Sequence, residues 1–125
     1  MSEKAKKILV IEDDKFISEV YIARLSKEGF ETVLVGDGEA AIKKAKEETP
    51  DLILLDIFIP KIGGMDVLRV LKEKDETRNI PVVMLTNATE EEYIDNAMGM
   101  GAVDYLVKSN YTPEEIVHKV LEHCK

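Results

Sequence analysis

Cysteine is nearly missing from this chain: Cys124 stands alone among 125 residues. A lone cysteine closes no internal disulfide and offers no paired-thiolate metal site. Long apolar runs are missing too. Ile8–Ile11 is cut short by Glu12-Asp13-Asp14, too soon for the core of a signal peptide. No stretch approaches the ~20 apolar residues of a membrane span, so no membrane partner is expected. Positive charge is in deficit, with 17 Lys and Arg against 25 Asp and Glu and a net charge of −8. That balance argues against a nucleic-acid-binding surface, which needs clustered Lys and Arg. The best basic cluster is Lys4, Lys6 and Lys7, close to the first residue, so no nucleic acid is expected in direct contact. Internal repeats, low-complexity tracts and Ser/Gly-rich linkers are also lacking.

What is present fits an ordinary globular domain. Hydrophobic residues make up 45% and charged residues 34%, a balance that folds rather than stays disordered. A chain of this length is expected to be one cytoplasmic domain over residues 1–125, standing alone or cut from a longer protein.

Short apolar runs alternate with segments of helical period. The runs are Ile8–Ile11, Thr32–Val35, Leu52–Leu55, Val82–Leu85 and Tyr105–Val107. Three of these lack the polar alternation of a half-wetted strand, which suits parallel strands covered on both faces. Between them, Ile17, Val20, Tyr21 and Leu25 mark one helix, with Gly29 as its stop. Asp37 caps a second over Glu39–Glu47. Met65, Leu68 and Leu71 mark a third. Ile94, Ala97 and Met98 give the apolar side of a fourth over Glu90–Met98. Ile116, Val117, Val120, Leu121 and Cys124 mark a fifth, with Thr112 and Glu115 spaced as a capping box. The order predicts an α/β fold: a five-stranded parallel sheet, doubly wound, with right-handed crossovers.

In such a sheet, ligands bind beyond the carboxyl ends of the strands. Glu12, Asp13 and Asp14 follow the first strand, Asp56 the third, Thr86 the fourth and Lys108 the fifth. Any one of them has an ordinary reading as a helix cap or a solvated loop residue. Their coincidence carries the weight. With a flavodoxin-like strand order of 2-1-3-4-5, Glu12, Asp13 and Asp56 converge. Close carboxylates repel unless a cation joins them. The donors are all oxygens, which favours a hard ion such as Mg²⁺. No His or Cys stands there for zinc.

Five segments together carry a resemblance: ILVIEDD at Ile8–Asp14, DLILLDIFIP at Asp51–Pro60, GGMDVL at Gly63–Leu68, IPVVMLTNA at Ile80–Ala88 and GAVDYLVK at Gly101–Lys108. Their order and spacing, over about Lys7 to Lys125, resemble the receiver domain of two-component response regulators of the chemotaxis-regulator kind. The resemblance implies that Asp56 is the phosphoacceptor. It implies that Glu12, Asp13, Asp56 and the backbone carbonyl of Phe58 hold Mg²⁺. Lys108 is then the partner of a phosphoryl oxygen, Thr86 the hydroxyl that answers phosphorylation, and Tyr105 the switch aromatic. The output surface is the fourth helix, fifth strand and fifth helix. The implied partners are a sensor histidine kinase or histidine phosphotransfer protein, and a downstream target protein or output domain. Such a receiver is no enzyme beyond promoting its own phosphorylation and dephosphorylation.

The sequence departs from that pattern in four places. The acidic pair is Glu12-Asp13 rather than Asp-Asp. Asn87 stands where Ala or Gly is usual. It can narrow access to Asp56 or donate to the phosphoryl group. Ser109 stands where Pro is usual, and a cis bond before a non-proline costs ~3 kcal/mol. Phe58 and Ala88, two residues beyond Asp56 and Thr86, cannot hydrogen-bond an attacking water, which implies a slowly hydrolysed acyl phosphate. Asn87 and Ser109 are the best support for an alternative, a pseudo-receiver that binds partners without phosphorylation. A flavodoxin-type cofactor protein fits poorly, because Glu12-Asp13-Asp14 repels a phosphate where that fold cradles one. A haloacid-dehalogenase-type phosphatase fits poorly for want of its DxD motif. His118 and His123 are expected to be solvated, and Asp104 to lie on the surface of an edge strand.

Overall fold

The computed structural model describes residues 5–124. Lys4 of the basic cluster and Lys125 lie outside the described residues. The strands are β1 (Lys7–Ile11), β2 (Glu31–Val35), β3 (Leu52–Leu55), β4 (Val82–Thr86) and β5 (Asp104–Val107). The helices between and after them are α1 (Lys15–Lys27), α2 (Gly38–Glu48), α3 (Gly64–Glu73), α4 (Glu91–Gly99) and α5 (Pro113–His123). A single 3₁₀ turn, Lys108–Asn110, joins β5 to α5. All neighbouring strands run parallel, in the order β2-β1-β3-β4-β5, as the sequence pattern predicts.

The three uniformly apolar runs are the three inner strands. Successive side chains point to opposite faces of a strand, and both faces are covered here. Leu9, Ile11, Ile53, Leu55, Val82 and Met84 pack with Ala41, Ala45, Val67, Leu68, Leu71 and Ala97 of α2, α3 and α4. Ile8, Val10, Leu52, Leu54, Val83 and Leu85 pack with Tyr21 and Leu25 of α1 and Ile116, Val117 and Val120 of α5. This burial on two sides fixes the register, because a slip of one residue would exchange the two cores.

Helix starts follow the expected chemistry. Asp14 accepts the Ile17 amide at 3.1 Å and caps α1. Asp37 accepts the Ala40 amide at 2.7 Å and caps α2. Thr112 and Glu115 form a reciprocal capping box on α5. At the other end of the chain's α1, Gly29 turns with φ +93°. Asp104 does sit on the edge strand, but His123 is more than a solvated residue: its Nε2 lies 3.0 Å from Asp104 Oδ2. His118 is exposed.

The β3–α3 connection is wedged tightly behind the strand ends. A Cβ on Gly64 would lie 2.1 Å from the Asp56 carbonyl oxygen, and one on Gly38 would lie 2.0 Å from that of Ile62. Only hydrogen fits at either place, so α3 approaches the backbone of Asp56 directly. Gly64→Ala is therefore expected to destabilise the protein by about 1–3 kcal/mol, the usual cost of overpacking. Gly99, with nothing near its missing Cβ, is the control: Gly99→Ala should leave stability unchanged or raise it by up to ~1 kcal/mol. Urea unfolding of the two variants checks both.

Candidate functional site

The ladder delivers the polar residues to one edge. Ile11 pairs with Leu55, so Glu12 and Asp56 are the first residues beyond that pair. Each is held by its backbone as well: Glu12 N–H donates to Val35 O at 3.0 Å and Asp56 N–H to Ile11 O at 3.2 Å. Glu12 is only 5% exposed and Asp56 only 7%. Asp13 is exposed at the rim. The three carboxylates each offer an oxygen, all within 4.8 Å of one another.

Lys108 is the only ammonium among the described residues bonded to this cluster. Its Nζ donates to Asp56 Oδ2 at 2.9 Å and also to Glu12 Oε1. Backbone amides complete the shell. Asp14 N–H donates to Glu12 Oε2 at 3.2 Å, and Phe58 N–H to Asp56 Oδ1 at 3.3 Å. Asp14 thus serves the site through its amide while its side chain caps α1.

Burial and charge compete for the protons. Burial pushes the Glu12 carboxyl above its ordinary value, more than Lys108 pulls it down. Burial alone would push the Lys108 ammonium down, but Glu12 and Asp56 together outweigh it and hold it above its ordinary value. One lysine therefore stays charged among the acids.

The donor set fits a hard divalent ion. It comprises carboxylate oxygens and no sulfur or imidazole, the preference of Mg²⁺ or Mn²⁺. The Phe58 carbonyl takes no backbone hydrogen bond among the described residues, whereas that of Ile57 accepts both Ile59 and Gly64.

The remaining expected residues stand one step back. Thr86 is fully buried, and its hydroxyl oxygen accepts the Ala88 amide at 3.4 Å. No hydrogen bond joins Thr86 to Asp56 or Lys108 among the described residues. Tyr105 is half-buried, and its hydroxyl donates to the Ala88 carbonyl at 2.7 Å. Thr86 and Tyr105 thus meet the same residue of the β4–α4 loop.

Two pairings were not foreseen from sequence. Phe58, 57% exposed, meets Tyr93 of α4 edge to face at 5.9 Å. Asn87 Oδ1 accepts the Ser109 amide at 3.1 Å. The departures at Asn87 and Ser109 were legible singly, but their contact spans two loops distant in sequence. The Lys108–Ser109 bond is trans, as are all peptide bonds among the described residues.

The family described as the response regulator receiver domain matches residues 8–121. The chain belongs to that family. Receiver domains of response regulators are signalling modules. Among relatives, the DNA-binding response regulator MtrA of Mycobacterium tuberculosis is 38% identical over 120 residues, covering 96% of this chain and 51% of MtrA. The phosphate regulon transcriptional regulatory protein PhoB of Escherichia coli is 40% identical over 116 residues, covering 93% of this chain and 50% of PhoB. The chain spans about half the length of these relatives. Among solved structures, the receiver domain of the sensor histidine kinase PA1611 from Pseudomonas aeruginosa has a TM-score of 0.86 at 26% identity, covering 97% of this chain and 98% of that one. That structure has magnesium coordinated in its active-site cleft.

These relatives correct one expectation. The acid-rich composition argues against direct contact with nucleic acid, yet the relative MtrA is a DNA-binding response regulator. The charge argument weighs only the receiver half. A net −8 here carries no information about the charge of the rest of such a relative. As for membranes, no helix among the described residues is long and apolar enough to cross one.

The site also makes a spectroscopic prediction. Burial, then the nearby charges of Glu90 and Asp56, pushes the Tyr105 phenol up to about 12. A raised acid contributes stability that is present below its unfolded value and lost as pH rises through its folded value. For Tyr105 that window runs from about 10 to about 12. Ultraviolet titration of phenolate should show a late ionisation near 12 that Tyr105→Phe removes, beside that of Tyr21, whose phenol burial also pushes up; a late phase of undiminished amplitude in the variant contradicts the assignment.

Proposed function

We propose that the chain, as one receiver unit over residues 1–125, is a phosphoacceptor that takes a phosphoryl group on Asp56. The donor is a sensor histidine kinase or a histidine phosphotransfer protein. The observation that carries this reading is the Asp56 carboxylate, nearly buried at the end of β3 with the Lys108 ammonium 2.9 Å away. An Asp56 oxygen attacks phosphorus, the N–P bond of the phosphohistidine breaks, and its electron pair stays on the imidazole. Phosphoryl transfer needs an in-line nucleophile and positive charge at the equatorial oxygens. Lys108 supplies one such charge. Glu12, Asp13, Asp56 and the Phe58 carbonyl would hold Mg²⁺, which when bound would supply further neutralisation between the two anions. Glu12 takes part directly or through water, since its longer side chain still points into the cluster.

The acyl phosphate carries about two negative charges where the carboxylate carried one. Thr86 then turns its hydroxyl to the new oxygens, leaving the Ala88 amide. Tyr105 bonds the same loop, so a movement of Ala88 reaches the surface of α4, β5 and α5. This is a two-state element biased by a local charge. That surface meets a downstream protein or an output segment. By analogy with relatives such as MtrA, the output is DNA-binding in the whole regulator. The relay belongs to the cytoplasm.

Incubation with Mg²⁺ and acetyl phosphate should add one phosphoryl group by intact-protein mass. Asp56→Asn, or excess EDTA, should abolish the gain. Neither Phe58 nor the buried Ala88 can orient a water, so the modified protein should lose the group slowly once the donor is removed. An unmodified wild type would instead favour the pseudo-receiver, and rapid loss without a phosphatase would overturn the slow-hydrolysis claim.

A further inference from the structure

Asn87 and Ser109 depart singly from the family pattern, and the structure joins them. The Ser109 N–H donates to Asn87 Oδ1 at 3.1 Å. A proline at 109 has no N–H to give, so this bond exists only because residue 109 is something else. The same peptide group is held at its other end, where the Lys108 carbonyl accepts the Tyr111 amide at 3.3 Å. A peptide is planar. Fixing its N–H and its C=O fixes the plane, and with it the ψ angle of Lys108. From there the Lys108 side chain runs back to Asp56 and Glu12.

The ladder explains why Asn87 reaches. Thr86 pairs with Val107, so Asn87 and Lys108 are each the first residue beyond that pair. The side chain of Asn87 acts as one more rung between the two strand ends. Both Asn87 and Ser109 are exposed, and a hydrogen bond between groups open to water adds little net stability. Its effect is on direction.

We propose that Asn87 is a positioning residue for Lys108. Its side-chain carbonyl holds the Lys108–Ser109 peptide and aims the ammonium at Asp56. The functional consequence rests on the reading of Asp56 as phosphoacceptor. The opposite role, a side chain that merely obstructs the site, makes the opposite prediction for Asn87→Ala.

The test uses wild type, Asn87→Ala and Asn87→Leu, which keeps the volume of the side chain but accepts no hydrogen bond. Each is followed for its rate of phosphorylation by acetyl phosphate with Mg²⁺. In parallel, without phosphodonor, NMR follows amide exchange of Ser109 and the ¹⁵N resonance of Lys108 Nζ. Both variants should phosphorylate about tenfold more slowly, the scale of a small misplacement at a reacting centre. Both should also expose the Ser109 amide to exchange and displace the Lys108 signal. Loss of packing alone would leave Asn87→Leu close to wild type. An Asn87→Ala protein as fast as wild type or faster, or an Asn87→Leu protein as fast as wild type, overturns the proposal. If wild type takes no phosphoryl group, the phosphoacceptor reading fails and the Lys108 resonance decides alone: displacement in both variants supports positioning, and an unmoved resonance overturns it.

Discussion

Everything at the carboxyl edge of this sheet depends on one imbalance of charge. Glu12 and Asp56 are both nearly buried, Asp13 lies close by, and one internal cation, Lys108, answers them. Buried like charges are costly unless paired and hydrogen-bonded. Lys108 meets two of the acids, and amides of Asp14 and Phe58 take the remaining oxygens. That leaves a site in balance but short of positive charge, suited to a hard cation and to an electrophile that needs an anionic nucleophile. A phosphoryl group added here would upset the balance again, and Thr86, Ala88 and Tyr105 are bonded in a chain that can carry the disturbance outward.

The fold places this cluster beyond strands that are packed on both faces. β1 and β3 lie in the middle of the sheet, packed on both faces, so Glu12 and Asp56 are fixed by ladder bonds rather than by their own loops. The glycine at position 64 lets α3 press against the Asp56 carbonyl from behind. Lys108 and Tyr105 come instead from the edge strand β5 and the turn after it. The acids thus stand at the middle of the sheet, and the residues that meet them come from its edge.

Much of this was legible in the sequence because it rests on patterns of short range. Uniform apolar runs gave the inner strands, helical stripes the covering helices, and the rule that ligands gather beyond strand ends picked out Glu12, Asp13, Asp56 and Lys108. Tertiary detail was less legible. Asp14 also stands beyond the first strand, but its side chain is taken by the cap of α1. The Asn87–Ser109 bond, the Phe58–Tyr93 contact and the His123–Asp104 pair each join segments whose approach is set by the packing of whole elements. The link of relatives to DNA was invisible because the charge of one segment reports only on its own surface.

Lys108 is the internal cation on which these acids depend. The most direct measurement is thermal unfolding of wild type and Lys108→Met, each titrated with Mg²⁺. Without divalent cation the variant should be less stable by about 3 kcal/mol, the scale for stripping one partner from a buried ion pair. Mg²⁺ should then stabilise the variant more than the wild type and close most of the gap, since a ligand adds stability in proportion to how much better it binds the folded state. Equal stability of the two proteins without Mg²⁺, with the same response to it, would contradict the claim.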